Sequence, residues 1–178
     1  MEYMFRTLYA NEIDCRVAQI SEKGLSLLLY KDARVDQNIL DEKVGAMNWQ
    51  RHHLRDNANC VVSIWDSEKK QWIEKEDTGT VSFTEAEKGL ASDSFKRACF
   101  NWGIGRELYS APFIWISADN ADIKQGRNGK FQCYDKFIVE QILYDDNRNI
   151  VALSIKNAPQ NKRVFLLDNR KPKADEKK

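Results

Sequence analysis

The sequence lacks most of what would build a metal, disulfide or membrane framework. Its four cysteines, Cys15, Cys60, Cys99 and Cys133, never form a C-x-x-C pair, and its two histidines, His52 and His53, are adjacent. Zinc is held by closely spaced ligand pairs, so no metal site is expected and the thiols read as reduced and mostly buried. The three prolines, Pro112, Pro159 and Pro172, lie in the C-terminal half, and no Pro- or Gly-rich stretch marks a linker. The longest apolar run, Leu25 to Tyr30, is interrupted by Ser26 and is far too short to span a bilayer. The N-terminal MEYMFRTLYANE has no apolar core before a small-residue cleavage site, so a secretory leader is not expected and the chain reads as cytoplasmic, without a membrane partner. A net charge of +1 excludes a coat of Lys and Arg. It leaves room for a local basic groove, because contact charge and total charge are separate quantities.

What remains is a globular composition. Hydrophobic residues make up 42% and charged residues 31% of 178, which suits one domain able to bury its own core. The expected organisation is a single domain over residues 1–168, followed by a charged, disordered tail over 169–178. Periodicity then sorts the chain. Ile13 to Ile20 alternates like a strand, with Ile13, Cys15 and Val17 on one face, and Leu25 to Tyr30 follows a turn. Asp32 is placed to cap a short helix whose Val35, Ile39 and Val44 face inward and which Gly45 closes. Strand-like runs follow at Asn48 to Arg55, Asn59 to Trp65 and Gln71 to Gly79, with Asp66 to Lys70 as a polar hairpin turn. A long helix begins at Thr84, where Thr84 and Glu87 fit a capping box, and runs to Trp102. After Pro112 come strands at Phe113 to Ile116, Phe137 to Tyr144 and Ile150 to Lys156, the last two joined by a turn over Asp145 to Asn149. The fold class is α+β: an antiparallel meander packed by a long helix, with additional C-terminal strands.

The long helix carries the informative pattern. At about 100° per residue, Ala91, Phe95, Ala98, Cys99 and Trp102 form one stripe, while Lys96, Arg97 and Phe100 fall on the other side. Two adjacent cations beside a ring can neutralise phosphate and stack on a base, which is the chemistry of single-strand binding. The plain alternative is a solvated helix face. Gly103-Ile104-Gly105 closes a helix rather than opening one after a strand, so it is a C-cap and not a dinucleotide fingerprint. No G-x-x-x-x-G-K-[ST] run is present, and no cofactor is expected.

TEAEKGLASDSFKRACFNWGIGRELY, Thr84 to Tyr109, resembles the signature helix of the Rad fifty-two superfamily of single-strand annealing proteins, phage and prophage relatives included. The likeness rests on Ala91-Ser92-Asp93, Lys96-Arg97-Ala98, Trp102-Gly103 and Leu108-Tyr109. Glu76-Asp77-x-Gly79, Ile13-x-x-Arg16-Val17 and Gly45-x-x-x-Trp49 add to it, so that it spans Ile13 to Ile116. The resemblance implies a β-β-α-β-β-β-α core, which the residue patterns reach in outline. It also implies ATP-independent annealing of single-stranded DNA in homologous recombination and double-strand-break repair, by a ring or helical homo-oligomer and without catalytic residues. In that family the residues matching Arg16, Lys96 and Arg97 hold the sugar-phosphate backbone in a basic groove. The family has a further basic residue where Phe100 stands, so stacking by Phe100 is an expectation from this chain's own chemistry. Arg34, Arg51 and Arg55 complete the expected DNA contacts, with Arg51 and Arg55 read as pointing to one side of a strand. A single-strand-binding protein or an exonuclease is the further partner envisaged, in the bacterial host cytoplasm if the chain is phage-encoded.

Two other classes compete. Glu74, Glu76, Asp77, Glu85, Glu87 and Asp93 are carboxylates near the helix, and a Mg-dependent nuclease or strand-processing enzyme would gather such groups. A passive oligomeric interaction module would instead bury the basic face against a second subunit.

Overall fold

The computed structural model describes residues 5–80 and 86–170. In chain order the elements are β1 (Asp14–Ser21), β2 (Gly24–Tyr30), α1 (Ala33–Val44), β3 (Trp49–Leu54), β4 (Asn59–Asp66), β5 (Gln71–Thr78) and α2 (Ala86–Asn101). They continue with β6 (Ile114–Ser117), β7 (Ile123–Gln125), β8 (Phe131–Cys133), β9 (Phe137–Tyr144), β10 (Ile150–Asn157) and β11 (Lys162–Asp168). The class is α+β, with antiparallel sheets, two α-helices and extra C-terminal strands, as the sequence predicts. The Thr84–Glu87 capping box and residues 171–178 of the expected tail lie outside the described residues. Two compact units emerge, one of Met1–Thr7 with Lys31–Arg106 and one of Leu8–Tyr30 with Glu107–Lys178.

In the first unit α1 starts because Asp32, in extended conformation, accepts the backbone N–H of Arg34 at 2.8 Å. It stops at Gly45, whose N–H bonds the Asp41 carbonyl at 3.0 Å. The indole of Trp49 donates to the Asp41 carboxylate at 2.6 Å, tying the start of β3 to the helix. Strands β3, β4 and β5 form a sheet with β4 central. The β4–β5 turn forms as expected, with Asp66 accepting the backbone N–H groups of Glu68 and Lys69 at 3.0 Å each. Helix α2 covers the face that carries Cys60, Val62 and Ile64, and Trp102 Nε1 donates to the Val62 carbonyl at 3.0 Å. Phe95, Ala98 and Cys99 of the expected stripe are fully buried, while Ala91 and Trp102 are half-buried. Burying Phe95 alone is worth about 1.5–3 kcal/mol.

Two of the three expected inward positions of α1 differ from the sequence reading. Val35 and Val44 are only half-buried, and the deepest positions are Asp36, Ile39 and Leu40. A carboxylate occupies a core position because Lys31, itself buried, bonds it.

In the second unit a six-stranded sheet runs β11-β10-β9-β1-β2-β6, all neighbours antiparallel. Leu25, Leu27, Ile114, Ile116, Phe137, Val139 and Ile155 bury one face. The β9–β10 turn is the expected one, Asp145 accepting from the backbone of Asn147 and Asn149 at 3.0 and 2.8 Å. Strand β11 and the β7–β8 hairpin are additions that periodicity did not reveal. Cys15 and Val17 pair with Leu29 and Leu27 and so share a face, with Arg16 opposite Leu28 on the other, as the alternation predicts; Val17 is 37% exposed, and a bulge between Val17 and Gln19 breaks the alternation of β1 beyond it. Buried Glu107 anchors this unit, accepting the Leu8 N–H at 2.7 Å and pairing with Arg148 at 3.1 Å.

Candidate nucleic-acid interface

Helix α2 ends in a Schellman motif. Gly103, at φ +93°, returns its N–H to the Phe100 carbonyl at 2.9 Å, and Ile104 N–H reaches the Cys99 carbonyl at 3.1 Å. Cations crowd the carbonyl end that this leaves. Lys75 Nζ donates to the Asn101 carbonyl at 2.8 Å, and Arg106 reaches the same oxygen at 2.9 Å while its Nε also bonds the Phe100 carbonyl. Positive charge at a helix C-terminus is favoured by the helix dipole. Neither Lys75 nor Arg106 was legible as part of this cluster, because one lies on a strand and the other beyond the helix.

The outward face of α2 carries Lys96 and Arg97, both half-buried, with Nε of Arg97 itself buried. Arg97 Nε lies 3.6 Å from Asp77 at the end of β5, and its side chain is 40% exposed. Lys96 has no ion pair among the described residues; its charge adds to the Arg34 hydrogen bonds that hold the Asp32 carboxyl low, and with Lys31 it opposes the burial that raises Asp36. The opposite face packs around Phe95, which stacks on Trp49 at 6.1 Å and lies 4.3 Å under the Arg51 guanidinium. Lys75 sits over Trp102 at 4.7 Å.

Phe100 is half-buried rather than fully outward. The ammonium of Lys31 lies 4.6 Å from its ring centroid and is ion-paired to Asp36. Burial pushes the Asp36 carboxyl up to about 6 against the opposing pull of Lys31. Burial also pushes the neighbouring Cys99 thiol up, and the Asp36 charge adds to that. A Cβ on Gly105 would collide with Cε of Lys31, so the second glycine of the G-x-G leaves open the path along which Lys31 reaches Asp36. The sequence signal for this arrangement was a lysine directly ahead of the Asp32 cap and an acid on the apolar side of α1.

The remaining expected contacts separate. Arg34 is exposed and bonds its own cap, Asp32, at 3.0 and 3.2 Å. Arg51 projects to the α2 side of its sheet, whereas Arg55 has left β3 and sits in a turn at φ +50°, so the two do not share a strand face. Arg16 belongs to the second unit, exposed on β1 opposite Leu28. His53 is half-buried and held below its ordinary value by burial and then by Arg51, while His52 is exposed. Of the carboxylates considered for metal, the side chains of Glu85 and Glu87 lie outside what the structure describes, and the other four are engaged: Glu74 with Ser63, Glu76 with Asn59, Asp77 with Arg97 and Asp93 with Thr80. Among the described residues no cluster of three or more His, Cys, Asp or Glu is arranged to hold an ion, and no helix is long and apolar enough to cross a membrane.

Among the described residues, an antiparallel sheet thus lies under a helix that carries two cations off its buried stripe and further cations at its C-terminal carbonyls. The model of the Rad52/22 family double-strand break repair protein matches residues 30–128, and this chain belongs to that family. Its role is accordingly in DNA recombination and repair. The match takes in Lys96, Arg97 and Phe100 and leaves Arg16 outside. Neither the comparison with curated proteins nor that with solved structures returned a match.

Proposed function

We propose that the protein binds single-stranded DNA and anneals complementary strands without nucleotide hydrolysis, working as a ring-shaped or helical homo-oligomer. The observation that carries this reading is the Lys96–Arg97 pair, adjacent on α2, off its buried stripe, in a chain of the Rad52/22 family. Each strand is held by its phosphates, which encode no sequence, so bases stay available and the search for register is sequence-tolerant. Charge neutralisation lets two strands approach, and base pairing then supplies the free energy. Arg16 is proposed as a further backbone contact, and the part of Phe100 left exposed as a base contact. Arg34, Arg51 and Arg55 are proposed as auxiliary contacts. Arg34 must first release Asp32, and Arg51 shares its charge with Phe95.

The experiment mixes labelled complementary oligonucleotides with the protein, with Mg²⁺ and without nucleotide. Duplex formation at a protein-dependent rate supports annealing. Shortened strands would replace it with the nuclease reading. Absence of any affinity for oligonucleotides at low salt would leave the passive interaction module.

A further inference from the structure

Among the described residues, the outer face of the six-stranded sheet carries several exposed large hydrophobic side chains. The strand register sets Arg16 directly opposite Leu28, and Ser26 directly opposite Trp115. Directly paired residues project to the same side, so Arg16, Leu28 and Trp115 share one face, and Phe113, two residues before Trp115, falls on it too. Phe113 is 74% exposed, Leu28 49% and Trp115 41%. The Phe113 and Trp115 rings stack with centroids 6.4 Å apart and planes 18° from parallel. Trp115 is held from beneath: a Cβ on Gly24 would come within 2.6 Å of its Cζ2, so the indole lies across a position that only glycine leaves open.

Charge accompanies the rings. Arg16 has no hydrogen bond or ion pair among the described residues. Across the sheet, Arg163, Lys156, Ile138, Asp14 and Tyr30 form one transverse row on the same face, with Arg163 bonded to Glu140 at 2.7 Å. A protein partner seated here would have to bury Lys156 and Asp14 along with the rings, and such residues are depleted from the centres of protein interfaces. Exposed ring surface on the same face as a guanidinium that has no ion pair among the described residues suits a nucleic-acid strand instead, a base on the rings and a phosphate on Arg16.

We propose that Phe113 and Trp115, with Leu28 and Arg16, form a base-stacking platform for single-stranded DNA on the outer face of this sheet. The inference rests on the single-strand-binding reading above and adds, beyond Phe100, a second base-dependent contact to the phosphate-dependent ones. It gives the face a role distinct from that of Lys96 and Arg97, which touch no base in that reading.

The test uses the full chain and two labelled ligands of equal length, oligothymidylate and an abasic oligomer, which carry the same phosphates. Wild type is expected to favour oligothymidylate. Phe113→Ala with Trp115→Ala should lower that affinity by about tenfold or more, leave abasic binding unchanged and reduce the preference to the part that Phe100 supplies. Trp115→Phe, which keeps a ring, should retain most of it. The exposed Phe113→Ala alone carries the comparison if the double variant fails to fold. The platform is overturned if the variants keep the wild-type preference, or if wild type binds both ligands equally. It is also overturned if the double variant loses oligomeric mass by light scattering while the preference stays, which assigns the rings to a second copy of the chain. Failure of wild type to bind either ligand would remove the single-strand reading itself.

Discussion

Two cations of the molecule, Lys31 and Arg16, sit in opposite surroundings. Lys31 is 2% exposed, bonded to a buried carboxylate and laid over Phe100. Arg16 is exposed, without an ion pair among the described residues, on a sheet face that also carries Trp115. The first arrangement has every valence turned inward and serves the fold. The second leaves its charge without an ion pair among the described residues, which is what the proposed platform draws on. Residue types alone do not separate these cases; what separates them is whether a counter-charge lies within reach and water is excluded.

The contrast can be broken most forcefully at Lys31. Lys31→Ala leaves Asp36 buried and unpaired, and the expected cost is about 3–5 kcal/mol in denaturant unfolding. Arg16→Ala should not measurably change unfolding, and equal costs for the two would end the distinction. Next in size is the effect on binding. Lys96→Ala with Arg97→Ala should lower oligonucleotide affinity severely while circular dichroism stays native. The same variant should flatten the salt dependence by about 0.7 for each phosphate it no longer neutralises. The Arg97–Asp77 pair is partly exposed, so breaking it should cost stability no more than about 1 kcal/mol.

A subtler measurement uses pH. The folded Asp36 carboxyl stands at about 6, above the 3.8 of a free aspartate, so the folded state binds the proton more tightly than the unfolded chain does. The resulting stabilisation is fully present below the unfolded value and is lost as pH rises through about 6. Wild type should therefore lose stability relative to Asp36→Asn between those two values, and parallel curves would contradict the burial of that charge. The smallest effect belongs to Arg34→Ala. Its guanidinium is 82% exposed and occupied by Asp32, so unfolding should be unchanged and single-strand affinity nearly so, measured by anisotropy at low salt.

Much of this was legible in the sequence where periodicity and chemistry agreed. Asp32 and Gly45 bound α1, the Asp66 and Asp145 turns form, and Phe95, Ala98 and Cys99 line the buried stripe. Legibility failed where a partner distant in sequence decided the outcome. Asp36 reads as a solvent position until Lys31 is seen beside it. Phe100 reads as exposed until the same lysine covers it. Arg51 and Arg55 read as one strand face because nothing local announces that the chain turns after Leu54. Strand β11 opens with Lys162 and Arg163, which hide its later alternation, and the three-residue strands β7 and β8 are too short for any period. The Trp115 surface was invisible because its meaning lies in the cross-strand register, not in its neighbours along the chain.

The passage of Lys31 beneath Gly105 ties the fates of two positions far apart in the chain. Any side chain at 105 must first displace an ammonium already committed to a buried counter-ion, and any shortening of residue 31 strands a carboxylate. Neither position is free to drift alone, so variation at this corner of the molecule has to arrive as a matched exchange of both residues together with Asp36.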